Sequence, residues 1–168
     1  MRQANFIVIR KDYKGDSAID NVIGYAIDSY HADTEEMLTS GVRNDSYDHM
    51  VEDFYLAQAS RNMEKHRRLF HFILAAPVSK DMQRILDEGA TALLNFFESI
   101  GHQVVMVPHY SGESNCLHYH WHLIVNSVST VTGLMMQERS DTYKAIVDFL
   151  NLNTYTEWSL VYKNKPHK

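Results

Sequence analysis

Three histidines at alternate positions stand in the run Cys116-Leu117-His118-Tyr119-His120-Trp121-His122-Leu123-Ile124-Val125-Asn126, and a fourth, His109, lies a short connection upstream. Side chains alternate between the two faces of an extended strand, so His118, His120, His122 and Ile124 share one face while Leu117, Tyr119, Trp121, Leu123 and Val125 share the other. The second face can dock on a core; the first presents imidazoles in a row. Buried imidazoles are costly as filler, because their ring nitrogens need partners. A divalent transition metal is such a partner, and three neutral histidine ligands leave positions open and the full 2+ charge available to an anion. A phosphodiester suits that chemistry, since the cation polarises a non-bridging oxygen and stabilises the charge that builds as the bond breaks.

Such a site supports two reactions. In one, the metal activates water and the product is simple hydrolysis. In the other, a tyrosine oxygen attacks phosphorus and leaves a covalent phosphotyrosine, which keeps the energy of the broken bond and can be resealed. A phenol with pKa near 10 needs a base or a nearby cation to act at neutral pH. Tyr25 sits at the edge of a stripe of Ala18, Ile19, Val22, Ile23, Ala26, Ile27 and Tyr30 at helical spacing, where a ring can pack while its oxygen points into a cleft. The chain has ten tyrosines, and for any one of them the alternative is that it only packs.

The elements that must position these residues are legible from periodicity. Residues 4–10 read as a strand buried on both faces, and Asp16 or Ser17 as the cap of the Tyr25 helix. After a polar, acidic segment with a short strand near 38–42, a second helix runs from about Ser46 to His66, with Met50, Phe54, Ala57 and Met63 inward. Residues 67–76 form a strand in which Phe70, Phe72 and Leu74 alternate with Leu69, His71 and Ile73, and Pro77 stops it. Ser79 caps a long helix over 80–100, ended by Gly101. Strands at 103–110 and 117–128 are joined by Ser111-Gly112-Glu113-Ser114-Asn115-Cys116, which has hairpin chemistry and brings His109 to the start of the histidine row. Residues 139–150 form a last helix, and 158–162 an edge strand. The fold class is α/β of the α+β type: a largely antiparallel sheet backed by helices, with the site on its other face. The remaining histidines, His31, His49, His66, His71, His102 and His167, have no comparable context and read as structural or exposed.

With 168 residues, 45 % of them hydrophobic, the chain suits one domain spanning 1–168. A single cysteine excludes an internal disulfide and multi-cysteine metal sites, and no apolar run is long enough to span a membrane, so the expectation is a cytoplasmic protein. The net charge of −5 argues against indiscriminate nucleic-acid binding. It is unevenly spread: eight acidic residues and one basic lie between Asp28 and Asp53, which leaves the rest of the chain at +2. Basic residues gather at Arg2, Arg10, Lys11 and Lys14, at Arg61, Lys65, Arg67 and Arg68, and at Lys163, Lys165 and Lys168.

His109, then His118-Tyr-His120-Trp-His122-Leu-Ile-Val-Asn126-Ser-Val128 and Thr132-Gly133, resemble the relaxase (mobilisation nuclease) family within the HUH endonucleases. The order of elements agrees as well, with Gly24-Tyr25-Ala26-Ile27 on the early helix, Leu38-Thr39-Ser40-Gly41, and Phe70-His71-Phe72 before the long helix. By that resemblance His109, His120 and His122 are the metal ligands, His118 is an adjacent non-ligating member, and Tyr25 is the nucleophile, with Tyr30 as fallback and Tyr13 third. The resemblance implies a bacterial protein of plasmid or mobile-element mobilisation and conjugation. It nicks single-stranded DNA at a transfer origin, holds the 5′ phosphate on tyrosine and rejoins the ends, with manganese or magnesium bound and accessory mobilisation proteins as possible partners.

The chain departs from the family pattern in two places. Ser111 stands where the family has an acidic residue that orients a ligand imidazole, and Glu113 is the nearest carboxylate that can substitute. Asp28-Ser29-Tyr30-His31 lacks the Asn-Pro and Lys-Thr of many relatives. A DNA-binding module with a residual histidine metal site, and a metal-dependent hydrolase using water, are the alternative readings.

Overall fold

The computed structural model describes residues 2–111 and 118–164. Six strands and four helices follow one another as β1 (Arg2–Arg10), α1 (Ala18–Asp28), β2 (Leu38–Ser40), α2 (Tyr47–Gln58), β3 (Leu69–Ala75), α3 (Met82–Ser99), β4 (His102–Ser111), β5 (His118–Ser129), α4 (Ser140–Asn153) and β6 (Thr156–Asn164). They form one sheet in the order β2-β4-β5-β3-β1-β6. Every pairing is antiparallel except that of β1 with β6, where Arg2 lies beside Thr156 and Arg10 beside Asn164. The largely antiparallel sheet backed by helices is as the sequence implies.

Alternation along the strands divides the interior in two. Phe6, Val8, Phe70, Phe72, Leu74, Trp121, Leu123 and Val125 face α3 and α4 and make the larger core with Leu86, Leu93, Phe97 and Leu150. Ile7, Ile9, Val105, Val107 and Ile124 point the other way and pack on Ile19, Ile23 and Ala26 of α1 and Met50 and Phe54 of α2. The histidine face is therefore not open, as a sheet backed on one side would leave it. Burying apolar side chains on both faces demands helices on both, and the site lies beneath α1.

Several boundaries differ from the sequence reading. The second helix stops at Gln58, well short of His66, because Gln58 Nε2 donates to the Arg68 carbonyl at 2.7 Å and the chain must double back to bring the two together. Met63 is buried all the same. Ser79 is not the cap of α3: the helix starts at Met82 with Asp81 before it, and Ser79 only accepts from the Met82 N–H through its carbonyl. Helix α1 ends at Asp28, so Tyr30 drops off its stripe; the chain turns there to bridge Ala32 to His109. The connection 112–117, with Glu113, Cys116 and Leu117, lies outside the described residues, as does 165–168 with Lys165, His167 and Lys168.

Asn126 ties this arrangement together. It is fully buried; its amide nitrogen donates to Phe54 O (3.1 Å) and Gln103 Oε1 (2.8 Å), and its oxygen accepts from Gln58 Nε2 (2.7 Å) and the Val128 N–H (3.1 Å). Gln103 continues the network to the carbonyls of Gly41 and Asp53. One side chain thus fixes α2 against β4 and β5.

Asn126→Leu strands the Gln58 and Gln103 amides, and should cost about 3 kcal/mol in urea unfolding. On the opposite face, a Cβ on Gly89 would stand 2.5 Å from Trp158 Cη2 and Cζ2, while the indole is held by its N–H to Thr154 Oγ1 at 2.9 Å. Gly89→Ala should therefore lower stability by ~1–2 kcal/mol, the overpacking exceeding the gain of about 1 kcal/mol from helix propensity.

Candidate metal centre and the tyrosine beside it

Pairing of β4 with β5 sets His109 directly opposite His120, and Val107 opposite His122. His122 consequently reaches diagonally to His109, with ring centroids 4.2 Å apart, and the His109 and His120 rings are 5.5 Å apart. One ring nitrogen from each of His109, His120 and His122 lies within 4.8 Å of the others. His122 Nε2 is 3.1 Å from His120 Nε2. Donor atoms of this type gathered this closely fit a divalent cation of the transition series. The backbones of Ser111 and His118 pair with each other at the far end of the hairpin.

His109 is anchored from outside the sheet. Its Nε2–H donates to the Ala26 carbonyl at 2.7 Å, satisfying one of the carbonyls that the last turn of α1 leaves without a helical partner. A neutral ring bonded through Nε2 offers Nδ1 as its lone pair. The same bond fixes α1 over the site one residue after Tyr25. The Tyr25 ring is 5.7 Å from that of His122, edge to face, and 6.3 Å from that of His109, yet the residue is 58 % exposed. The other tyrosines weighed from sequence are placed differently. Tyr30 is 98 % exposed with its ring against His31. Tyr13 is buried, and burial raises its pKa well above that of a free phenol, the opposite of what a nucleophile needs.

His71, read from sequence as structural or exposed, belongs to this cluster. Strand β3 pairs with β5 so that His71 lies opposite Ile124, on the histidine face, and its Nε2 is 2.8 Å from His122 Nδ1. Its Nδ1 is 2.9 Å from the Tyr13 hydroxyl. The alternation of Phe70, His71 and Phe72 already assigns His71 to the face opposite the phenylalanines. What no local pattern could supply is that β3 is the neighbour of β5. His102, by contrast, is structural as read, donating to the Asn126 carbonyl at 2.7 Å.

Burial lowers the pKa of His71, to about 3, and that of His122 well below the ordinary histidine value; His109 is lowered for the same reason. The mutual repulsion of the rings adds to the effect in each of the two most buried. The rings are thus held neutral, the form that binds metal. Two residues of the basic cluster at 61–68 are committed to the fold: Arg67 is buried and pairs with Glu138 at 2.6 Å, and Arg68 bonds Gln58 Oε1 at 3.1 Å.

A mixed six-stranded sheet with helices on both faces and convergent histidines on its central strands is compatible with an HUH-endonuclease-like fold. The family model described as relaxase, MobA/VirD2-like, nuclease domain matches residues 25–152, most of the chain, and the protein belongs to that family. Neither the curated proteins nor the solved structures contain a match to it.

The depressed histidines fix the pH dependence of the metal-free protein. Their folded pKa values lie below the unfolded value of 6.5, so the unfolded state binds more protons between the two, and stability falls as pH drops below about 6.5. His71 alone should cost about 1 kcal/mol at pH 5.5. Urea midpoints should agree at pH 8 and 7.5 and decline from 6.5 to 5.5; equal midpoints at 7.5 and 5.5 would contradict neutral packing of the rings.

Proposed function

We propose that this protein nicks and rejoins single-stranded DNA, with Tyr25 as nucleophile and His109, His120 and His122 as ligands of a divalent metal. The observation that carries the reading is the Tyr25 ring at 5.7 Å from His122, on a helix locked to His109, and still exposed enough to meet a polymer. A bound cation would polarise a non-bridging oxygen of the scissile phosphate. Tyr25 Oη then attacks phosphorus, the bond to the 3′ oxygen breaks, and the 5′ phosphate stays on the tyrosine. The phenolic proton leaves to solvent and the departing 3′ oxygen takes one up. Reversal by a 3′ hydroxyl restores the strand, because the phosphotyrosine is itself a phosphodiester.

Lys11 and Lys14 line a small pocket with Asp12, Asn21 and Val22, one turn before Tyr25; Lys14 pairs with Asp12 at 3.3 Å, which leaves Lys11 to supply positive charge for the backbone next to the reacting phosphate. The neutral donor set favours manganese or another transition ion over magnesium, which prefers oxygen ligands. Within the family this corresponds to mobilisation of a plasmid or other element in a bacterial cytoplasm, at a transfer origin and with accessory proteins. Among the described residues no helix is long and apolar enough to cross a membrane.

Single-stranded circular phage DNA and a random single-stranded library, each incubated with Mn2+, should give a protein–DNA adduct stable in denaturant. Tyr25→Phe should abolish the adduct, whereas Tyr30→Phe and Tyr13→Phe should still form it. His122→Ala should lower nicking ~100-fold or more. Cleavage with no adduct would mean water is the nucleophile, and binding with no cleavage would mean a DNA-binding module; either outcome sinks the proposal.

A further inference from the structure

A ligand imidazole gives its lone pair from one nitrogen only if its proton is held on the other. In His122 the nitrogen facing His120 is Nε2, so a cation bound there requires the proton on Nδ1. Nδ1 faces His71 Nε2 at 2.8 Å, which must then accept; His71 in turn carries its own proton on Nδ1 and donates it to Tyr13 Oη at 2.9 Å. Each atom in this chain has a partner at hydrogen-bond distance, and the three side chains are buried. Tyr13 is held in place independently. It is the non-glycine residue with positive φ (+44°) among those described, and its carbonyl accepts from the Arg68 N–H at 2.9 Å. Positive φ is unfavourable for a tyrosine and persists only where the surroundings impose it.

Building on the metal-site reading above, we propose that His71 and Tyr13 are positioning residues for the metal, a neutral relay behind His122 that fixes its tautomer and strengthens its donor nitrogen. The relay takes the orienting role for which the sequence offers Ser111 in place of an acid. A carboxylate would hold the His122 proton more strongly, but it would also place a negative charge beside the cation. The His71–Tyr13 pair orients the ring and leaves the site's charge unchanged. The direction of the chain is set by the metal. Without it, the same three groups can also run in reverse, with Tyr13 donating to His71, His71 to His122, and His122 Nε2–H toward His120.

The relay has readouts that do not depend on DNA. Calorimetric titration with Mn2+ should show 10–100-fold weaker binding for His71→Leu. Recovery to within about 10-fold of wild type is expected for His71→Gln, whose amide oxygen can accept the His122 proton. Tyr13→Phe keeps the ring and the backbone and should weaken binding about 3-fold. In long-range 15N–1H spectra of the Zn2+-loaded wild type, His122 and His71 should both be Nδ1–H tautomers. An Nε2–H tautomer for His71 in the loaded protein, or Mn2+ affinity unchanged in both Tyr13→Phe and His71→Leu, would overturn the relay. The tautomer measurement on wild type stands even where a variant fails to fold. Loss of nicking with the tautomers as described would refute the nuclease reading and leave the relay; nicking with His71 as Nε2–H would do the reverse. A wild type that binds neither ion would overturn both.

Discussion

The dominant constraint in this molecule is the desolvation of a group of imidazoles on one face of a sheet. Water would have supplied their hydrogen bonds; packed beneath a helix, the rings must be neutral and must find partners in the protein. Those partners organise the fold around them. His109 takes the last-turn carbonyl of α1 at Ala26 and so sets the helix over the sheet. His71 takes the Tyr13 hydroxyl and so draws the segment between β1 and α1 inward. His122 lies between them, touching His71 through one nitrogen and His120 through the other. The polar groups of the histidine cluster thus also hold its covering layer in place.

A second polar network performs the same task for α2. Asn126 lies four residues after His122 on β5, hence on the same face, and all its hydrogen-bonding capacity is used on Phe54, Gln58, Gln103 and Val128. The asparagine of the family motif is thus a structural residue. It anchors α2 through Phe54 and Gln58. The remaining contact of this layer with the sheet is apolar, Ile19, Ile23, Met50 and Phe54 against Ile7, Val105, Val107 and Ile124, while Tyr47 and Tyr55 of α2 donate to the Asp20 carbonyl and carboxylate of α1.

Tyr25 gains its place from this economy. Its neighbour in sequence, Ala26, is buried and bonded to His109; Tyr25 itself is turned to the rim, with its ring on the imidazoles and its surface open. One residue of helix therefore separates the anchor of the helix from its most exposed aromatic at the site. Tyr30 would have followed on the same stripe if α1 had continued past Asp28. The return of the chain to pair Ala32 with His109 ended the helix first.

Strict alternation in the run from 118 to 126 determined by itself that one face carries histidines and the other Tyr119, Trp121, Leu123 and Val125, because the pleat of a strand leaves no other choice. Helical spacing in 82–99 and 140–153 was equally decisive, since each helix is long enough for its apolar stripe to be unambiguous. The nearness of His109 to the row followed from a hairpin, a local motif. What the tertiary structure decided is everything that depends on which distant strands become neighbours. His71 and Tyr13 reach His122 only because β3 lies between β5 and β1, and Arg67 meets Glu138, 71 residues further along the chain, only in the folded molecule. The burial of the histidine face likewise depended on α1 and α2 crossing it. Strand order and helix placement arise from the summed burial of the whole chain, and that sum has no local signature to read.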